Sequence, residues 1–421
     1  MNPHRFSSQS LFALPALQRS LLSIRVLTLM LGLLAWVPMR GADEQTALGR
    51  LESPHATVAR PFALPQPGRE FQFPADHGSH PEYKIEWWYL TGHLTSEGGQ
   101  RHGFQATFFR RASDVLPAPQ PGDTNAPTAS PSIPNFANDE FFLAHMAWLD
   151  VSTKTFRHEE RLNRRGWDAQ AATNRLDVRN GNWSLKDLGP DSQGQPKLEL
   201  RGGIQADLFW RMSLTPQKPL VVFGTNGVSR KAREPSAASH YLTFPRLAVT
   251  GELRRGSQTE RIEGEAWMDH ELSSSQLGEG QVGWDWTSIQ FFDGRELMAY
   301  RMRRDDGTTD AFSTLAWIGK DGRVSQWGPD RFTWRGEGQW KSPRSGGTYP
   351  AAVLLTVPEP DGRHGTTLRI EPLCADQELS GGIAGVPYWE GACRVLDAQG
   401  KEIGRAFVEM TGYAGHLRRA L

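Results

Sequence analysis

One Trp-rich strand pattern occurs twice in the chain, and any fold must accommodate both copies. EWWYLTGHL, a turn and GFQATFFRR (86–111) are echoed by GWDWTSIQF, a turn and RELMAYRMRR (283–304), so that Trp87 falls on Trp284. AHMAWLDVSTKTF (144–156) matches STLAWIGKDGRV (313–324) and places Trp148 on Trp317. GEAWMDHE (264–271) matches GRAFVEMT (404–411), pairing Trp267 with Phe407 and Asp269 with Glu409. Three pairs in the same order indicate a duplicated unit. Alternating apolar and polar positions, bounded by turn signals such as Asp293-Gly294 and Asp305-Asp306-Gly307, make each copy antiparallel β structure. The 15 Trp, 43 Gly and 28 Pro fit short aromatic strands joined by tight turns, and no helical stripe of more than three turns follows residue 45.

The expected architecture is therefore all-β, two tandem antiparallel barrels with the lipocalin-like property of an interior that holds one apolar ligand. The expected divisions are a signal peptide over 1–42, a first barrel over 43–271 that carries a Pro-rich loop at 112–138, and a second barrel over 272–421. A pair of sandwiches is the structural alternative. In the leading segment Arg19 and Arg25 precede the apolar run Val26 to Val37, which is the layout of a signal peptide and implies a periplasmic or secreted protein. An uncleaved segment would anchor the chain in the membrane.

Lys plus Arg equals Asp plus Glu at 47 each, which gives no electrostatic footprint for nucleic acid. Cys374 and Cys393 are the two cysteines, candidates for a disulfide in an exported chain or else two buried thiols. His77 and His80 stand near Asp76 with metal-like spacing but lack a second cluster, so neither a metal nor a cofactor is expected.

Carboxyls beside aromatics are the candidate chemistry. Glu86, flanked by Trp87 and Trp88, would have a raised pKa if held by indole inside a barrel. On the strand EAWMDHEL, Trp267, Asp269 and Glu271 share one face, with Met268 and His270 on the other. Two like charges so placed favour keeping one protonated, as general acid catalysis requires; the alternative is an exposed acidic strand end. Trp88, Trp284 and Trp286 are candidates for a ligand-binding wall or for plain core. A Gly-x-Ser-x-Gly elbow, a His-Glu-x-x-His pair and a phosphate loop are all missing from the sequence.

The motifs DHGSHPEYKIEWWYLTGHL, GVSRKAREPSAASHYLTFPRLAVTGEL, GEAWMDHELSS, GWDWTSIQFFDGRELMAYRMR and PYWEGACRV followed by FVEMTGY resemble the AttH/CrtC family, which includes carotenoid 1,2-hydratase and exported proteins described as hydrolases. The resemblance runs from about residue 60 to 415 and implies two lipocalin-like barrels. It also implies that Asp269 protonates a double bond, helped by Trp267 and His240. Two functions follow as expectations: an acid-catalytic enzyme acting on a hydrophobic small molecule through Asp269 with Glu86 or Glu271, or a non-catalytic carrier or chaperone for such a ligand.

Overall fold

The computed structural model describes residues 57–59, 61–117, 140–381 and 386–415, apart from positions 167, 191, 193, 195 and 364. The signal segment and residues 118–138 of the Pro-rich stretch lie outside the described residues. Eleven main strands form the first sheet: β1 (Ile85–Ser96), β2 (Arg101–Ala112), β3 (Glu140–Asp150), β4 (Thr155–Arg164), β5 (Ala169–Ala171), β6 (Asp177–Asn180), β7 (Trp183–Pro190), β8 (Pro196–Ile204), β9 (Leu208–Pro216), β10 (Ala238–Arg255) and β11 (Gln258–Ser273). Their spatial order is β4-β3-β2-β1-β11-β10-β9-β8-β7-β6-β5. The sheet curls until its ends meet through side chains: Asn163 Nδ2 donates to Asn180 Oδ1 at 2.7 Å, and the Arg161 guanidinium lies 3.8 Å from the Trp183 ring centre.

The second sheet begins eight residues on, as β12 (Gln281–Phe291), β13 (Glu296–Arg304), β14 (Thr314–Ile318), β15 (Val324–Trp327), β16 (Thr333–Glu337), β17 (Ala352–Val357), β18 (Thr366–Pro372), β19 (Tyr388–Leu396) and β20 (Glu402–Met410). Its order, β15-β14-β13-β12-β20-β19-β18-β17-β16, is an antiparallel half-barrel. The fold is all-β, and among the described residues no helix is long and apolar enough to cross a membrane.

The ladders reproduce the sequence repeat residue by residue. In the first sheet Trp87 pairs with Glu271 on one side and Phe109 on the other, and Tyr89 pairs with Asp269. In the second, Trp286 pairs with Glu409 and Trp284 with Met302. Trp148 opposite Phe104 likewise answers Trp317 opposite Leu297. A one-residue slip would turn every side chain to the other face, so this agreement also fixes which faces correspond.

The interior of the first barrel, expected to hold a ligand, is lined by large side chains that pack on one another. Trp88, Phe104, Phe108, Phe142, Trp148, Trp183, Trp210 and Met212 form one buried cluster there. Each such ring removes about 150–250 Å² from water, on the order of 4–6 kcal/mol before entropy is counted. A second apolar cluster fills the half-barrel, and a third, with Tyr89, Tyr241, Trp267, Trp286, Met298, Tyr300 and Phe407, lies between the sheets. Polar pins cross the same seam: His93 Nε2 to Ala406 O at 2.9 Å, Gln290 Nε2 to Ala266 O at 2.9 Å, and Glu296 held by both Lys218 and Arg246.

The disulfide expected as one alternative does not form. Cys393 belongs to the half-barrel cluster and Cys374 to the cluster between the sheets, and both are free buried thiols. Register explains it: Pro372 faces Cys393 across the ladder, and Cys374 lies two residues beyond that pair.

Candidate functional site between the sheets

The alternation of strands β1 and β11 sorts the candidate residues into two groups on opposite faces. Glu86, Trp88 and His270 point into the first barrel; Trp87, Tyr89, Trp267, Asp269 and Glu271 point toward the second sheet. Glu86 is therefore separated from Asp269 by the sheet itself, and the pairing of the two in one site does not hold.

On the inner face Glu86 is fully buried and heavily bonded. Its oxygens accept from His270 Nε2 at 3.0 Å, His80 Nδ1 at 3.0 Å, the His80 backbone N–H, Ser79 Oγ at 2.9 Å and Arg110 Nε at 3.0 Å. Burial alone would raise its pKa, but the hydrogen bonds from His270 and His80 and the charge of Arg110 hold it well below the usual carboxylate range. The raised pKa expected from indole neighbours is reversed here, because cations rather than rings set the local potential. His80 bridges Glu86 and, through Nε2 at 2.8 Å, Asp76; these two carboxylates outweigh its burial and raise its pKa. His80, Glu86 and His270 each offer one ligand atom, all within 4.8 Å of one another. Arg110 already supplies the countercharge, and both His80 nitrogens face carboxylates as an imidazolium would, so the set does not fit a metal ion.

The outer face carries carboxyls of a different character. Asp269 accepts from Thr243 Oγ1 at 2.6 Å, Trp267 Nε1 at 2.7 Å and Tyr241 Oη at 2.7 Å, and Tyr241 in turn accepts from Trp286 Nε1 at 3.0 Å. Burial raises its pKa to about 7, against the pull of these neutral donors and with help from the nearby Glu271 charge. Glu409, its counterpart in the second sheet, accepts from Trp284 Nε1 at 2.9 Å, and burial raises it to about 7 as well. Glu271 accepts from Ser239 Oγ and lies 3.4 Å from Lys231 Nζ; burial raises it although Lys231 opposes the shift. Tyr89 donates across the seam to Glu390, whose pKa is driven well up by burial and by Glu409.

Asp269, Glu271, Glu409 and Lys231 line one cavity of about 110 Å³, walled by Trp87, Tyr89, Phe109, Trp284, Trp286 and Tyr300 among others. A larger open cleft of about 850 Å³, bordered by Glu234, Glu279, Arg304 and Phe312, carries surface charges that pair locally, such as Arg304 with Asp310 at 2.9 Å. The smaller space is the one lined by carboxyls whose pKa values burial raises.

Of the expected site residues, the structure unites Asp269, Glu271, Trp267, Trp284 and Trp286. It sets apart Glu86 and Trp88, already placed inside the barrel, and His240, which lies one position out of phase on β10. His240 Nδ1 is engaged with Gly227 O at 2.7 Å and its ring packs on Phe71 and Tyr83, whereas its neighbour Tyr241 reaches Asp269. The sequence reading missed Tyr241, Lys231, Tyr89 and Glu409. Glu409 was visible as the repeat partner of Asp269, but its membership of the same cavity depends on how the sheets face each other. Glu409 is raised as Asp269 is, and the charge of Glu271 contributes to both shifts.

Two solved structures resemble this chain over nearly all of the described residues. A crystal structure assigned to AttH of Nitrosomonas europaea is 33% identical, with a TM-score of 0.71, covering 84% of this chain and 100% of that one. Kievitone hydratase from Nectria haematococca shares the fold at 13% identity and a TM-score of 0.59, covering 84% of this chain and 98% of that one. No curated protein matches the sequence significantly. The AttH-like family model matches residues 64–413, and the chain belongs to the AttH-like family.

Proposed function

We propose that this protein is an exported lipocalin-like enzyme that acts on a hydrophobic small molecule by acid catalysis, of the hydratase type. The observation that carries the reading is the pair of carboxyls, Asp269 and Glu409, in one aromatic-walled cavity with pKa values near 7. Near pH 7 each of these carboxyls populates both its protonated and its ionised form, so one can give a proton while the other accepts one. Asp269 delivers its proton to one carbon of a double bond, and the positive charge that develops on the other carbon faces the indole rings of Trp87, Trp284 and Trp286. Glu409 takes a proton from the water that adds there. Passing that proton back to Asp269 restores the site, and the net change is addition of one water. The likeness to a structure named for hydration supports the reading through its fold.

Small molecules that co-purify with the protein, identified by mass spectrometry, supply the substrate for the test. In heavy-oxygen water the wild type should return a product with one added, labelled water. Asp269→Asn should lower that turnover by roughly 10²–10⁴ while keeping ligand affinity. A ligand returned unchanged, with affinity indifferent to Asp269→Asn, would establish the carrier reading instead. Export is proposed from Arg19, Arg25 and the apolar run that follows; N-terminal sequencing of the processed protein should find a start between about 39 and 46.

A further inference from the structure

Besides the acids, the cavity lining holds donors with hydrogen-bonding capacity to spare. Lys231 is buried, and its ammonium meets the ring faces of Tyr241 and Tyr300, at 4.7 and 4.1 Å from their centres, and Glu271 at 3.4 Å. Its backbone is pinned by Gln281 Nε2, which donates to Lys231 O at 2.8 Å. An ammonium carries three N–H donors, and one carboxylate at that distance leaves capacity unused. Gln276 lines the same cavity at 8% exposure, and its side-chain nitrogen is buried without a hydrogen-bond partner among the described residues. Leaving such a donor unmet is costly, and a ligand acceptor would recover that cost.

The geometry points to Lys231 and Gln276 as an oxygen-anchoring subsite, which makes the substrate a ring-sized molecule, or the ring-sized end of a longer one, bearing a neutral carbonyl or hydroxyl oxygen. This rests on the proposed function only in taking the cavity at Asp269 as the ligand site. Neutrality follows from the surroundings. Glu271 already balances Lys231, and Asp269 and Glu409 line the same space, so an entering anion meets carboxyls and finds no free countercharge. Size follows from the volume: about 110 Å³ falls short of the roughly 300–1,000 Å³ of pockets that enclose drug-sized ligands. A long apolar chain would have to leave its remainder outside. An oxygen anchored there holds the rest of the molecule in the same small space as Asp269 and Glu409.

Three near-isosteric probes, acetophenone, ethylbenzene and benzoate, test this by calorimetric titration, with the indole N–H signals of ¹⁵N-labelled protein reporting where each binds. Acetophenone should bind at least about tenfold tighter than either of the others and move the Trp284 and Trp286 signals. Gln276→Leu, which leaves the Lys231–Glu271 pair intact, should weaken acetophenone by about fivefold and leave ethylbenzene unchanged or improved. Lys231→Met should erase the preference if the variant folds. Equal binding of acetophenone and ethylbenzene overturns the anchor while leaving an apolar acid site standing. Tightest binding by benzoate overturns the neutral-oxygen assignment. Failure of all three to bind overturns the anchor together with the ligand cavity itself, whereas a kept acetophenone preference with turnover indifferent to Asp269→Asn removes only the acid mechanism.

Discussion

Strands β1 and β11 carry a buried carboxylate cluster on each face, and the two behave oppositely. Inside the barrel Glu86 is fully buried yet held well below the usual range, because Arg110, His80 and His270 surround it. Outside, Asp269 is as thoroughly buried yet raised to about 7, because its partners Thr243, Trp267 and Tyr241 are neutral. Neutral donors stabilise a carboxylate without repaying the loss of bulk water, whereas a fixed cation does repay much of it. Between these two clusters burial is common to both, and the charge of the partners sets the direction in which each carboxyl moves.

The comparison breaks most visibly if the cation is removed from the inner cluster. Arg110→Met leaves Glu86 and Glu140 buried with that partner gone and should cost about 3–5 kcal/mol in urea unfolding, the expected loss when one side of a buried ion pair is deleted. A loss under about 1 kcal/mol would mean that the inner cluster is not held by charge.

Next in size are the opposed pH dependences. Asp269 has a folded pKa above its unfolded value, so its contribution to stability is complete below about pH 4 and is lost as pH rises through about 7. Glu86 has the reverse sign: its contribution is present above its unfolded pKa and is lost as pH falls. Asp269→Asn, measured by chemical denaturation between pH 4 and 8, should flatten the decline toward alkaline pH by about 1–3 kcal/mol, and Glu409→Gln should act in the same direction. Parallel curves for wild type and both variants would show that neither carboxyl is raised.

The smallest effect sharpens the cause. Thr243→Val removes one of the donors to Asp269, at a stability cost of about 1 kcal/mol, and should move the Asp269 carboxyl titration, followed by carbon NMR, upward by up to about one unit. A downward movement would contradict the assignment of Thr243 as a donor that favours the ionised form.

Much of this organisation was legible in the sequence, and the parts that were not share one reason. Period-two alternation correctly put Trp267, Asp269 and Glu271 on one face, and the repeat put Glu409 in the place of Asp269. Alternation also contained the separation of Glu86 from Asp269, since Asp269 pairs with Tyr89 and Glu86 with Leu272, but it shows only once the register between β1 and β11 is known. His240, implied by the family resemblance, stands one position from Tyr241 on β10, and it is Tyr241 that reaches Asp269.

The sequence alone determined the strands, their duplication and the face each candidate acid shares with its neighbours, because strand alternation and turn chemistry are local. Only the tertiary structure decided that the first barrel is lined by its own packed indoles, that the outer faces of the two sheets meet, and that the acids of both copies share one cavity with Lys231. Those outcomes depend on contacts between residues on different strands that are distant in the sequence, and a pKa follows from the partners such contacts supply.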